Sequence, residues 1–144
     1  MTVWAHDPVA GIAVHLDVDG LVAIAAKAGE TIVVEYAATD PALALEITVG
    51  SDLTAWTCND AITVDPTITE RWAPSGEQPD GSDDPGTVSI AVTPGDDDGI
   101  GAVATVTFTG VPWQRTGEPD GELSVPVVLE LLVLEDVSVG WLPG

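Results

Sequence analysis

The sequence predicts an all-β domain, an antiparallel β-sandwich with an immunoglobulin-like or jelly-roll-like arrangement of about eight to ten short strands. Two observations carry this prediction. Several short runs alternate apolar and polar side chains, which is the period of a strand with one face on a core. Val, Ile and Thr are abundant, and 15 Gly and 11 Pro favour short strands over helices. No amphipathic helix and no internal repeat is evident, so we expect one domain over residues 1–144.

The clearest predicted element is a hairpin over Thr87 to Gly110. Its two runs, residues 87–93 and 103–109, alternate Val, Ile or Phe with Thr, Ser or Ala. Between them, Pro94-Gly95 and Asp98-Gly99 supply the fixed φ and the positive φ that tight turns use. The consecutive aspartates of this turn must face water.

The chain before the hairpin divides into further short runs. After a pairing segment at residues 1–8, the predicted strands are residues 9–16, 21–26, 31–37, 43–49, 53–58, 62–64 and 68–72. Turns are expected at Asp17 to Gly20 and at Lys27 to Glu30 because Gly and Asp favour turn conformations. Residues 73–86 have no large apolar side chain and are predicted to form a mobile surface loop.

After the hairpin, residues 111–122 are predicted to form a second polar loop that carries Trp113 and Arg115. The run from Leu123 to Leu134 is apolar at both alternating sets of positions. It therefore predicts a central strand covered on both faces, with a helix as the alternative. Glu135 and Asp136 are expected to end this strand.

The charge is strongly one-sided. Twenty-four acidic residues face three cations, Lys27, Arg71 and Arg115, and the formal net charge is −21. Such a surface repels phosphate, so nucleic acid is excluded as a direct partner. The acidity fits three origins: a particle surface that must not stick to other anionic particles, adaptation to high salt, or a generic acidic protein.

The residues do not compose a catalytic site. Cys58 is the only cysteine, and the two histidines, His6 and His15, are nine residues apart with Asp7 and Asp17 close by. Solvated or hydrogen-bonded histidines are the favoured interpretation, and a metal site is the alternative. We expect no enzyme activity and no cofactor, with calcium at the acidic turns 17–20 and 95–99 as the alternative that their composition leaves open. There is no signal-peptide pattern and no apolar run long enough to span a bilayer, so we expect cytoplasmic synthesis without secretion.

The tryptophans are the candidate interaction residues. Trp4 and Trp141 lie in the terminal segments 1–8 and 137–144, which carry almost no charge, and we predict these segments as docking arms. Core packing is the alternative for each tryptophan. Trp72 and Trp113 lie beside predicted loops and support a second hypothesis, a carbohydrate- or protein-binding module.

Three segments, GETIVVEYAATDP, TVSIAVT and GAVATVTFTG, resemble strands of immunoglobulin-like and cohesin-like bacterial sandwiches. A small, strongly acidic sandwich without a leader is similar in type to the decoration and accessory proteins of tailed-phage capsids. That resemblance implies a structural virion protein on the capsid exterior. It also implies a major capsid protein or other protein shell as the partner, homo-oligomeric contacts, and no membrane. It carries over no functional residue.

Overall fold

The computed structural model describes residues 1–7, 9–53, 66–95, 101–116 and 125–139. Within them it has one helix, α1 (Leu21–Ala28), and eight strands. The strands are β1 (Thr2–Asp7), β2 (Ile12–Val18), β3 (Ile32–Ala37), β4 (Leu43–Ser51), β5 (Thr67–Pro74), β6 (Thr87–Thr93), β7 (Val103–Thr116) and β8 (Val127–Ser138). Every strand pair is antiparallel, which confirms the all-β prediction.

The strands form one curled sheet in the order β1-β2-β4-β5-β7-β6-β3, with β8 also paired to β7. The long strand β7 organises it. Residues 103–109 of β7 pair with β6, and residues 113–116 pair with β5. Because β8 pairs with β7 over residues 103–113, it lies on the opposite edge of β7. The result is two layers that share β7: one is β1-β2-β4-β5 with residues 113–116 of β7, and the other is β8-β7-β6-β3, in which β6 pairs with residues 103–109 of β7.

The core lies between these layers. Val3, Leu16, Ile90, Val106 and Phe108 are completely buried and belong to one apolar cluster with residues of α1. An isolated antiparallel bridge between Val3 and Val139 joins β1 to the residue that follows β8. The sheet therefore curls far enough for its first strand and its last strand to meet, which is a sandwich-like arrangement.

The two layers diverge at a contact between two glycines. β7 changes its partner from β6 to β5 around Gly110, which has a φ of 61°. Gly86 has a φ of 71°, and a Cβ atom placed on it would lie 2.6 Å from the carbonyl oxygen of Gly110. Gln78 donates its Nε2 to the same oxygen at 3.0 Å and to the carbonyl oxygen of Asp84 at 2.7 Å. Residues 75–86 are thereby tied to the middle of β7.

We expect Gly86→Ala to lower the free energy of unfolding by about 3 kcal/mol or more, because the new Cβ adds a backbone clash to the strain of a left-handed residue. Gly29→Ala is the matched control, since Gly29 has a φ of 70° and no atom within 4 Å of the same position. It should lose only about 1 kcal/mol. Urea unfolding measures both, and equal losses would contradict the close approach at Gly110.

The prediction of a strand over residues 21–26 was wrong, because these residues begin α1. Ala, Leu and Lys dominate this segment and have high helix propensity. Gly29, in the left-handed conformation, donates its N–H to the carbonyl oxygen of Ala25 and ends the helix. Leu21 and Ala25, four residues apart, are the buried positions, so α1 packs one narrow apolar side on the core.

Two predictions after the hairpin were also wrong. Residues 111–116 continue β7 and are not a loop, because the carbonyl oxygen of Pro112 accepts a hydrogen bond from the N–H of Ser75 and the proline itself is buried. β8 is not a central strand covered on both faces, since within the described residues it pairs along its length only with β7. Leu131 is 65% exposed.

Glu135 and Asp136 do not end β8. The register with β7 changes between Ala104 and Val106, and Asp136 has a φ of 48°, so the two acids form a bulge within the strand. The strand then continues to Ser138.

The remaining strand predictions divide into three groups. The central hairpin and the strands at residues 31–37, 43–49 and 68–72 are confirmed as β6-β7, β3, β4 and β5. The predicted first strand lies two to three residues later in the chain, as β2, and the pairing segment before it is β1. The predicted strand at 62–64, most of the one at 53–58, and the acidic turn at 96–99 lie outside the described residues.

Candidate interaction face

Trp113 is buried, with 2% of its surface exposed. Its ring packs against Phe108 with a centroid distance of 6.1 Å and an interplanar angle of 58°. Its Nε1 has no hydrogen-bond acceptor within the described part of the chain. Trp72 is half-buried against the same core and donates Nε1 to Glu70 Oε2 at 3.0 Å. These two tryptophans therefore do not form an exposed row on which sugar rings would stack.

The structure describes most of the predicted N-terminal docking arm and only residues 137–139 of the C-terminal one. Residues 2–7 are β1, which pairs with β2 along its whole length and buries Val3. The backbone of Trp4 lies opposite His15 in this ladder. Trp141 lies outside the described residues, as do Cys58 and Trp56. Residues 2–7 of the predicted N-terminal arm are therefore a strand of the sheet.

The described residues include no group of three or more His, Cys, Asp and Glu side chains placed to hold a metal ion. Among the same residues, no helix has the length and apolar character that crossing a bilayer requires.

A different surface is distinctive in this acidic chain: the solvent side of the layer β8-β7-β6-β3. In each of these strands the alternate residues point into the core, such as Val88 and Val106, and the others point outward. We call the outward set the threonine face. Its members are Thr31, Val33, Glu35, Ala37, Thr87, Ser89, Ala91, Thr93, Val103, Thr105, Thr107, Thr109, Leu131 and Val133.

The strand register aligns these residues into rows across the layer. In the order β8, β7, β6 and β3, the rows are Leu131, Thr109, Thr87, Ala37; Val133, Thr107, Ser89, Glu35; Thr105, Ala91, Val33; and Val103, Thr93, Thr31. Six of the fourteen residues are threonine, six are apolar and one is serine. Glu35 is the only ionisable residue among these fourteen, and the exposed Glu135 and Asp136 of the β8 bulge lie opposite Thr105, at the β8 end of the third row. Short side chains make this face flat.

The ionisable groups are concentrated elsewhere. The outer side of the other layer carries His15, Asp17, Glu46 and Arg71, and Arg71 forms a 3.3 Å ion pair with Glu46. On the inner side of that layer, Arg115 lies 3.5 Å from Glu70. Two of the three cations of the chain are thus next to carboxylates on β5 and β4.

The loop between β5 and β6 is strongly acidic. It carries four exposed acids: Glu77, Asp80, Asp83 and Asp84. The hydroxyl and then the N–H of Ser82 donate to Asp80 Oδ1, at 2.7 and 2.9 Å, and these hydrogen bonds lower the pKa of Asp80. Its carboxylate is therefore ionised at neutral pH, and the loop is a permanent source of negative potential.

The threonine face is modest in size. Strands about 4.8 Å apart and outward residues about 6.8 Å apart along each strand give a flat footprint of about 450 Å². A standard stable interface buries about 800 Å² on each partner. One copy of this face is therefore suited to a weak contact that is repeated many times.

Sequence reasoning recognised the alternation in TVSIAVT and VATVTFT but assigned interaction to the tryptophans. The signal for the threonine face was present in these runs, since their outward positions carry no charge in a chain with 24 acids. What the runs alone did not show is that residues 31–37 lie beside 87–93, so that the uncharged positions of separate strands join.

No protein-family model, no curated protein and no solved structure matches this chain.

Proposed function

We propose that this chain is a structural interaction protein that binds a protein shell through its threonine face, with decoration of a tailed-phage capsid as the setting. The observation that supports this is a flat sheet face on a protein of net charge −21: its fourteen aligned residues include one carboxylate, and the bulge acids Glu135 and Asp136 lie at its β8 edge. The face combines exposed apolar side chains with hydroxyl groups that both donate and accept hydrogen bonds. It is therefore suited to a protein surface of little charge.

The physical reason is desolvation. Burying a carboxylate at an interface without a cationic partner costs several kcal/mol, and the rest of this surface is rich in carboxylates. A partner that lands on the threonine face removes mainly threonine, alanine and valine from water. Glu35 is on β3, at the end of its row, where it remains partly hydrated. The acidic loop at residues 77–84 lies outside the rows and is free to keep other anionic particles away.

Weak single contacts suffice in this role. A shell offers many equivalent sites, and contacts between bound neighbours add to the contact with the shell. The chain then stabilises the shell by bridging adjacent subunits, not by catalysis.

We expect Thr109→Lys to weaken binding to the shell at least tenfold, because a buried ammonium without a partner is costly. Thr109 is exposed at the centre of the first row. The matched control is Ala44→Lys, an equal charge change at an exposed position on the outer side of the other layer. It should bind as the parent does, or more tightly if the shell is anionic.

The measurement is co-sedimentation of the purified proteins with DNA-free heads of the tailed phage that carries the gene, at low salt and at about 1 M salt. Absence of the parent from the pelleted heads under both conditions would rule out decoration. Equal binding of the two lysine variants would show that the threonine face is not the docking surface.

A further inference from the structure

Among the described strands, β3 lies at one edge of the sheet. Within the described residues it pairs only with β6. Natural edge strands are usually protected from pairing with other chains by proline, lysine, a bulge or an inward charge. β3 has the sequence IVVEYA, with none of the first three, and its only charged residue, Glu35, points outward. β8, at the other end of the layer, is protected by the bulge at Glu135 and Asp136.

We propose that β3 binds β3 of a second copy of this chain, antiparallel and across a two-fold axis, so that the layers of two copies form one continuous sheet. The biological purpose of this dimer rests on the proposed function. The pairing itself depends only on β3. Strand directions alternate across β8-β7-β6-β3, so an antiparallel neighbour continues the layer in the same pattern.

The sequence of β3 selects the register. With the two-fold axis at Val34, every residue from Thr31 to Ala37 has an opposite residue in the second copy. Val33 then lies opposite Glu35 of the second copy, and no like charges are opposed. An axis at Glu35 would place the two carboxylates directly against each other, which is destabilising. An axis at Val33 would leave fewer residues paired.

The register of β3 against itself favours a second copy as the occupant. Each copy carries −21, and Glu30 and Asp40 flank β3, but with the axis at Val34 no carboxylate of residues 31–37 lies opposite another. A basic partner would instead be drawn to the acidic loop at residues 77–84. Long-range repulsion between the copies remains, so pairing should strengthen with salt, which reduces the Debye length to about 3 Å at 1 M.

A dimer joined at β3 doubles the area of the threonine face that a shell can contact. Two copies joined at β3 present a continuous face of about 900 Å², by the same strand and residue spacings. This area is larger than the area of about 800 Å² that a standard interface buries on each partner. Val33, which is 64% exposed in one copy, then lies in the middle of the joined face beside Glu35 of the second copy, where each Glu35 carboxylate must meet a cation of the shell or stay hydrated.

The test is sedimentation velocity of the full chain at about 0.5 M NaCl, over protein concentrations up to about 100 μM, where the Debye length is already below about 8 Å. We expect a monomer-dimer equilibrium that shifts toward monomer at low salt. Val33→Lys should tighten the dimer by about three- to tenfold, because the introduced ammonium faces Glu35 of the second copy on both sides of the axis. Val33→Glu should weaken it by about tenfold or more.

Ala44→Lys and Ala44→Glu are the charge-matched controls and should change the dimer constant by less than about twofold, because their position is exposed on the other layer. Melting curves of the two Val33 variants should match the parent, since this side chain is largely in water. Opposite shifts at Val33 and none at Ala44 support the register.

A parent that stays monomeric up to about 100 μM even at 1 M salt would overturn the proposal, as would equal shifts at both positions. These results are independent of shell binding. A monomeric chain that co-sediments with heads would refute the dimer but support the proposed function. A chain that dimerises but does not co-sediment with heads would support the dimer and refute the proposed function.

Discussion

Val3→Asp is expected to unfold the domain. Val3 is completely buried in the core and forms the bridge to Val139 that joins the ends of the sheet. A carboxylate buried there without a partner costs several kcal/mol, which is comparable with a typical total stability of about 5–15 kcal/mol. Circular dichroism and urea unfolding at pH 7 measure the loss. Val125→Asp is the same chemical change at a side chain that is 74% exposed, and it should alter stability by less than about 0.5 kcal/mol.

The outcome separates two views of residues 1–8. As a docking arm, this segment would tolerate a charge at Val3 and even removal of residues 1–5, with loss of binding alone. As a core strand, it tolerates neither. A Val3→Asp protein with the melting temperature of the parent would show that β1 is detachable, contrary to its pairing with β2 over residues 2–7.

Phe108→Ala is expected to lower the free energy of unfolding by about 3–5 kcal/mol. Among the residues that the structure describes, Phe108 is the largest completely buried side chain. It packs against Trp113, so its removal leaves a cavity between the two layers. Leu131→Ala, on β8 next to Thr109, is the control. Leu131 is 65% exposed, and its truncation should change stability by less than about 0.5 kcal/mol.

Urea unfolding with a common slope for both variants measures this difference. A loss of only about 1 kcal/mol for Phe108→Ala, at the level of an average substitution, would mean that the layers do not pack on this ring. Equal losses for both variants would contradict the assignment of Leu131 to the outer side of β8.

The elements that sequence reasoning located best are those decided by local alternation. In TVSIAVT and in VATVTFT, successive side chains differ sharply in polarity, so the strand, its inner side and the intervening turn follow from a few neighbouring residues. The helix α1 was missed because Leu21 to Ala28 contains only apolar residues, alanine and one lysine, a composition that suits a strand or a helix. Burial of Leu21 and Ala25, four residues apart, distinguishes the helix from a strand, but it is known only once the core is known.

Residues 111–116 show the limit of local signals in another way. The polar composition of residues 111–122 predicts a loop, but residues 111–116 belong to β7. Distant partners hold this segment in the sheet: the carbonyl oxygen of Pro112 accepts a hydrogen bond from the N–H of Ser75, and Trp113 pairs with Val127 of β8. These partners lie far along the chain, and no local pattern identifies them.

The threonine face depends on the same kind of information. Its uncharged positions are visible in each strand separately, but the face exists only because β3 lies beside β6 and β8 beside β7. Paired residues lie 50 to 60 positions apart for β3 and β6 and 14 to 35 positions apart for β7 and β8, so tertiary packing sets their register. The tryptophans, in contrast, stand out in the sequence, and for Trp113 that prominence reflects its large contribution to the core.

The bridge between Val3 and Val139 also determines when this protein is able to fold. During synthesis, β1 leaves the ribosome before the other described strands, whereas its partner Val139 is made only after all of them. The β6-β7 hairpin needs only local chain and forms early, but contacts between distant residues form slowly because a long loop must first be ordered. The curled sheet therefore closes after translation of its last strand, and until then β1 depends on β2 alone.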